Sequence, residues 1–263
     1  SHNGAVNFVK SIAVPEDKII SEFIEVYGRG KIVEEANNNR RRFQVEGLDA
    51  FDIRTLKPDG QPWDFNRRTD RQLARDMINE QQPMWIIGSP PCTAFSSWNT
   101  GMNYRKMDPE KVKVLIAEGK THLRFMCRLY RMQLENGRHF LHEHPAKALS
   151  WVLPEMEALI RNPSTHLTVA DQCMYGLETP SAIDKKPAKA QKTTKFLTSS
   201  PQMAAQLQIR CDRSHVHQQL VGGRCKDAAF YPKPLIRAML RGMSDTAKAC
   251  LLYTSPSPRD SSE

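Results

Sequence analysis

No apolar run in this 263-residue chain approaches the ~20 residues needed to span a bilayer, and no signal peptide is visible at its start. A membrane protein is therefore not expected. Cysteine is sparse: apart from Cys250 near the right-hand end, Cys92, Cys127, Cys173, Cys211 and Cys225 are widely separated. Such an odd, scattered set argues against a disulfide framework and predicts reduced thiols in an intracellular protein, nuclear or cytoplasmic. No internal repeat is present, which sets repeat architectures aside. An initiating methionine is lacking too, so both ends read as truncations of a longer gene product.

The right-hand end stands apart. "CLLYTSPSPRD", Cys250 to Asp260, resembles the translation of a transposase sequencing adapter. Residues 250–263 are therefore set outside the fold, and 244–263 are expected to be an artefactual or disordered tail. The remainder is long enough for one α/β domain with a well-buried core. At 40% hydrophobic and 25% charged residues, the composition suits an ordinary globular enzyme. Net charge is +9, rising to +10 once Arg259, Asp260 and Glu263 are removed with the tail. That excess, with a pI near 9.3, suits a polyanionic partner, although a generally basic surface explains it equally well.

Along the chain, strand-like and helix-like segments alternate. "EFIEVYG" (22–28) ends at glycine and "KIVEEANNN" (31–39) can begin a helix; strand character returns over 40–54. Residues 69–83 read as a helix stopped by Pro83, and "MWIIG" (84–88) as a strand buried on both faces. The clearest helix runs from Asp108, its cap, through Pro109 to Gly137. Val112, Leu115, Ile116, Leu123, Met126, Cys127 and Tyr130 share one of its faces, which makes Cys127 a core residue. Strands follow at 139–145, 166–173 and 194–200, with helices at 153–161 and 231–243. The alternation predicts a doubly wound, mostly parallel α/β sheet, with ligands beyond the carboxyl ends of the strands.

Polar residues gather at those ends. Gly28 and Gly30 follow the first strand, where backbone N–H groups can approach a ligand, although for a lone G-x-G a plain tight turn is the stronger reading. Asp49 and Asp52 follow the second strand and can accept from ribose hydroxyls; Asp64 comes next. Ser89, Pro90, Pro91 and Cys92 leave the "MWIIG" strand, and Glu143 lies in "LHEHP".

The stretch Gly88-Ser89-Pro90-Pro91-Cys92-x-x-Phe95-Ser96 resembles the Pro-Cys motif of the C5-cytosine DNA methyltransferases, and the order of features from about Phe23 to Met243 is similar to that family. The resemblance implies a class I S-adenosylmethionine-dependent methyltransferase (Rossmann-like) fold over 22–243, with 1–21 as a lead-in. It implies S-adenosylmethionine as cofactor, with the Gly28/Gly30 turn on its methionine moiety, Asp52 on the ribose and Asp64 on the adenine amino group. Ser89 and Pro90 would border the same cofactor. Cys92 becomes the nucleophile, stiffened by Pro91, and Glu143 the acid of the next strand. Ser96 and Trp98 become candidates for nucleic-acid contact, Trp98 by stacking on a base or simply by packing.

The chemistry accounts for these residue types. Cytosine C5 is a poor nucleophile until a thiolate adds at C6. That attack builds negative charge at N3, where a glutamic acid must donate a proton. C5 then takes the methyl group, a base removes its proton and the thiolate leaves. In duplex DNA the base must first be flipped out. The sequence departs from the family in four places. Val26 stands where an aromatic is usual, Glu143 is followed by His144 and Pro145, and no Gln-x-Arg-x-Arg follows "VADQCMYGL" (169–177). A short basic linker, 184–195, stands where the family has its target-recognition insertion. Its Lys185, Lys186, Lys189, Lys192 and Lys195 either contact phosphates or form a solvated loop.

Cys211, His215 and His217, with Cys225 further on, could coordinate zinc, but the spacing matches no standard finger and no metal is assigned. The expectation is a monomeric DNA cytosine-C5 methyltransferase. RNA as substrate, an amino-methyltransferase, or a catalytically silent domain of a mobile-element or viral polyprotein are the alternatives.

Overall fold

The computed structural model describes residues 15, 18–97, 99–220 and 227–254. Trp98, Cys225 and the tail from Ser255 lie outside the described residues.

The first apolar run becomes β1 (Ser21–Val26), followed by α1 (Lys31–Asn38), a single helical turn α2 (Arg40–Phe43) and β2 (Val45–Phe51). Strand character does not resume at Arg40, as the sequence suggests. Phe43 is drawn into the core, and Gln44 at φ 58° closes the turn before the strand begins. Then come α3 (Arg68–Gln81), β3 (Trp85–Gly88), α4 (Pro109–Glu135) and β4 (His139–Pro145). Asp108 caps α4 as expected, its Oδ1 accepting from the Glu110 N–H at 3.0 Å. After α5 (Pro154–Ile160) and β5 (His166–Asp171), a small hairpin of β6 (Glu178–Pro180) and β7 (Pro187–Lys189) leads into β8 (Thr193–Thr198). Helices α6 (Pro201–Gln206) and α7 (Lys233–Thr254) complete the order.

Among the described residues the main sheet has six strands in the order β2-β1-β3-β4-β8-β5. β1 through β4 are parallel, and β8 runs antiparallel to both β4 and β5. Strand periodicity divides the apolar residues between its faces. Ile24, Val26 and Ile86 join the core beneath α3, α4 and α5, whereas Phe23, Trp85, Ile87 and Leu141 join the core beneath α1, α6 and α7. The fold is therefore an α/β sandwich with a mostly parallel central sheet, compatible with a Rossmann-like arrangement.

Three expectations need correction. Residues 184–195 are not a plain linker, because they supply β7 and the start of β8. The start of α4 runs past the core: Leu115 is 37% exposed, while Leu123, Met126, Cys127 and Tyr130 are buried. The fold also does not stop at residue 243. α7 continues to Thr254, with Ser244, Thr246 and Ala247 buried and Thr246 Oγ1 2.6 Å from Ser200 Oγ.

Candidate active site

The strand order reverses at β1. β2 lies on one side and β3 on the other, so the loops leaving β1 and β3 part company and open a crevice. Val26 and Gly88 are register partners at that point, and the Ser89 N–H donates to Val26 O at 3.2 Å. The cleft holds about 490 Å³. It brings together Gly28, Asp52, Asp64, Ser89, Pro90, Pro91, Cys92 and Glu143, which lie far apart in sequence.

On the β1 side, the glycine requirement at Gly28 has a cause the sequence hid. A Cβ there would stand 1.8 Å from Glu25 Oε1. The Glu25 carboxylate is buried, accepts from the Ile32 N–H at the head of α1 at 3.2 Å, and lines the cleft. Burial pushes its carboxyl up to about 7, with nearby Asp52 adding to the rise. Gly30 sits behind the cleft at the head of α1, at φ 72°. Tyr27, beside Val26, occupies the left-handed region at φ 61° and turns its ring onto Phe65, centroids 4.8 Å apart.

Asp52, just past β2, is buried and accepts from the Arg54 N–H at 3.0 Å. Asp49 does not follow the strand as expected; it lies within β2, opposite Ile24. Asp64 is more open, accepts from the Asn66 N–H at 3.0 Å and pairs with Arg67 at 3.3 Å. Trp63 and Phe65 add an aromatic wall beside it.

On the other side, Cys92 heads a 3₁₀ turn, Thr93–Phe95, whose Phe95 N–H donates to Cys92 O at 3.0 Å. The loop before it is pinned from β4. His144 donates from Nε2 to Pro90 O at 2.8 Å, and its Nδ1 accepts from Ser150 Oγ at 2.6 Å. Burial lowers the His144 pKa, which favours the neutral ring that this pairing needs. His142 is also buried and pushed well down, with Tyr130 Oη 2.9 Å from its Nδ1.

Glu143 faces the cleft between a neutral donor and a cation that sequence distance concealed. Tyr231 donates to Glu143 Oε2 at 3.0 Å, and Ser89 Oγ lies 2.5 Å from the same phenol. Burial drives the Tyr231 hydroxyl well above its usual pKa, so it remains a donor. Lys192 Nζ lies 3.7 Å from Glu143 Oε1 and donates to Ala228 O at 3.2 Å. Lys192 thus belongs to the cleft, not to an outward basic loop. Lys185 and Lys186 are exposed, and Lys189 pairs with Glu178 at 2.9 Å on the hairpin. Ser96 is outside the cleft lining, with its Oγ accepting from the Asn99 N–H at 3.2 Å.

Cys211, His215 and His217 converge in a separate polar hollow, together with Cys173. Cys173 was expected inside a strand; it lies in the 3₁₀ turn Gln172–Tyr175 after β5. Glu25, Tyr231 and the inward role of Lys192 carry no local sequence signal, because each depends on a partner from another element.

No family model matches this chain, and no curated protein matches it.

Proposed function

We propose that this protein transfers a methyl group from S-adenosylmethionine to C5 of cytosine in DNA, through a covalent adduct on Cys92. The observation that carries the reading is the meeting of Cys92 and Glu143 with Gly28 and Asp52 in one cleft at the strand-order reversal. The donor set suits such a cofactor. Asp52 offers a buried carboxylate for ribose hydroxyls, Asp64 an acceptor for the adenine amino group, and Trp63 with Phe65 an apolar wall. The volume also lies in the range that takes a ligand of this size, ~300–1,000 Å³.

In this reading Cys92 adds as a thiolate to cytosine C6, and the displaced electron pair collects at N3. Glu143 donates a proton there. Lys192 and Tyr231 hold the Glu143 carboxyl in place, and the Lys192 ammonium supplies positive charge that the missing arginine motif would otherwise provide. The cofactor supplies an electrophilic methyl group to C5. A solvent water then takes the C5 proton and the C5–H pair forms the C5–C6 double bond, so the C–S bond breaks, Cys92 regains its electron pair, and the N3 proton returns to Glu143. His144 acts on the nucleophile indirectly, by fixing the Pro90 carbonyl two residues before it.

The test uses DNA carrying 5-fluorocytosine, whose C5 fluorine blocks elimination. With labelled S-adenosylmethionine, the protein is expected to form a denaturant-stable DNA adduct that the Cys92→Ser variant does not. Methylation undiminished in the serine variant would remove the covalent mechanism. Adducts on RNA alone would change the substrate, and cofactor binding without transfer to any nucleic acid would favour a silent domain.

A further inference from the structure

We infer that the cluster of Cys173, Cys211, His215 and His217 is a structural zinc site that clips the loop after α6 to the end of β5. Their four ligand atoms lie within 4.8 Å of one another. The individual separations are already those of a coordination shell. Cys211 Sγ is 3.7 Å from His215 Nε2 and 3.4 Å from His217 Nε2, and His217 Nε2 is 3.4 Å from Cys173 Sγ. Tetrahedral zinc with Zn–S near 2.3 Å and Zn–N near 2.05 Å requires sulfur-to-nitrogen distances of about 3.6 Å. Two thiols and two imidazoles form a closed, soft donor set that suits zinc over magnesium or calcium.

The surroundings hold these ligands without supplying competing ones. Cys173 is buried, and the other three are half-buried around an open hollow through which an ion can enter. Asp171 is occupied elsewhere: its Oδ2 accepts from Cys211 N–H at 2.9 Å and from Arg210 Nε at 2.8 Å, and its Oδ1 from Thr193 Oγ1 at 2.5 Å. The Arg213 N–H points at Cys211 Sγ, 3.3 Å away, a contact that stabilises a thiolate. Arg213 itself adopts φ 61°, so the chain reverses between Cys211 and His215 to bring both onto one ion.

The spacing C-x3-H-x-H is not that of a finger because the fourth ligand is remote, 38 residues before Cys211. Metal binding takes a proton from each thiol and leaves a neutral site with both imidazoles unprotonated. The clip reaches the cleft through backbone alone. Gln218, next to His217, donates its N–H to Lys189 O at 2.6 Å and forms a bridge with Ala190. Lys192 follows two residues after Ala190, just before β8, so the ion would steady the segment that carries the cation beside Glu143.

The experiment loads the full chain with zinc, and separately with cobalt, after reduction and chelation. One tightly held ion per chain is expected, with the visible bands of tetrahedral cobalt and near-ultraviolet charge transfer from two thiolates. Cys173→Ser and Cys211→Ser should each lose that stoichiometry, while Cys225→Ser and Cys127→Ser keep it. Octahedral cobalt bands, no retained metal in the unsubstituted chain, or full retention in Cys173→Ser would overturn the assignment. Should a ligand variant fail to fold, the cobalt spectrum of the unsubstituted chain and its zinc-dependent shift in urea midpoint decide the matter alone. None of these readouts depends on methyl transfer.

Discussion

Replacing Gly88 by alanine tests how tightly the strand behind the Cys92 loop is packed. A Cβ at Gly88 would lie 2.1 Å from Tyr130 Oη and 2.3 Å from Met126 Cε. The methionine tip can swing away, but the tyrosine cannot. Its ring stacks on Phe140 with centroids 4.5 Å apart, and its hydroxyl is bonded to His142 Nδ1 at 2.9 Å. Restoring ordinary contact requires the hydroxyl to retreat roughly 1.3 Å, which breaks that bond. Overpacking costs about 1–3 kcal/mol, and leaving a buried polar partner unpaired costs about 1–3 kcal/mol more. A destabilisation of about 3–4 kcal/mol follows, equivalent to a fall of about 10 °C in Tm for a chain of this size. The discriminating assay is a double-mutant cycle with Tyr130→Phe, read by urea unfolding. Without the hydroxyl the nearest ring atom, Cζ, lies 3.1 Å from the new methyl and needs to give only slightly. The second substitution should therefore be cheaper in the presence of the first, by about 1–2 kcal/mol. An unchanged Tm for Gly88→Ala, or strict additivity in the cycle, would refute the packing argument.

Three further outcomes follow from the same geometry. Glu25, raised to about 7 in the fold against 4.5 unfolded, holds its proton more tightly when native, so its contribution is fully present below pH 4.5 and lost as pH rises through 7. The stability of the protein relative to Glu25→Gln should drop by about 3 kcal/mol over that window, and a pH-independent difference in urea midpoints would contradict this. If the proposed methyl transfer holds, Lys192→Met should lower its rate by about 100-fold with S-adenosylmethionine affinity retained, while Lys192→Arg recovers part of it; an unaffected rate in the methionine variant counts against a role for that cation. Cys127, 1% exposed and pushed up to about 12 by burial, should stay unmodified when the native protein is alkylated near neutral pH and react only in urea, as peptide mass mapping will show.

Much of this architecture is legible in the sequence. "MWIIG" reads as a buried strand because both faces of β3 meet helices, and α4 announces itself through Asp108 and Pro109. The strand-end positions of Asp52 and Cys92 follow from that alternation, whereas Glu143 does not follow its strand as expected but lies within β4, opposite Phe196 of β8. Other features are not legible, for identifiable reasons. An apolar run carries no direction, so nothing in "TKFLTSS" says that β8 is antiparallel. Glu25 sits in an apolar strand, and only the N–H groups of α1 in three dimensions explain its tolerance. Tyr231 reaches Glu143 across 88 residues, and Cys173 reaches His217 across 44, distances over which no periodicity speaks. The helix after residue 243 was hidden by a resemblance of its last turns to adapter sequence, while its earlier turns packed into the core.

The reversed direction of β8 has a consequence for how such a domain can diversify. An antiparallel strand begins where its neighbours finish, so the chain crosses to that end of the sheet, where Lys192 lines the cleft, before it enters β8. The β6–β7 hairpin immediately precedes that crossing, and its turn at 181–186 is exposed. Residues added at this turn need not alter any register of the main sheet, because β8 is paired independently with β4 and β5. The hairpin is thus a point at which the domain can lengthen while its central sheet stays as it is.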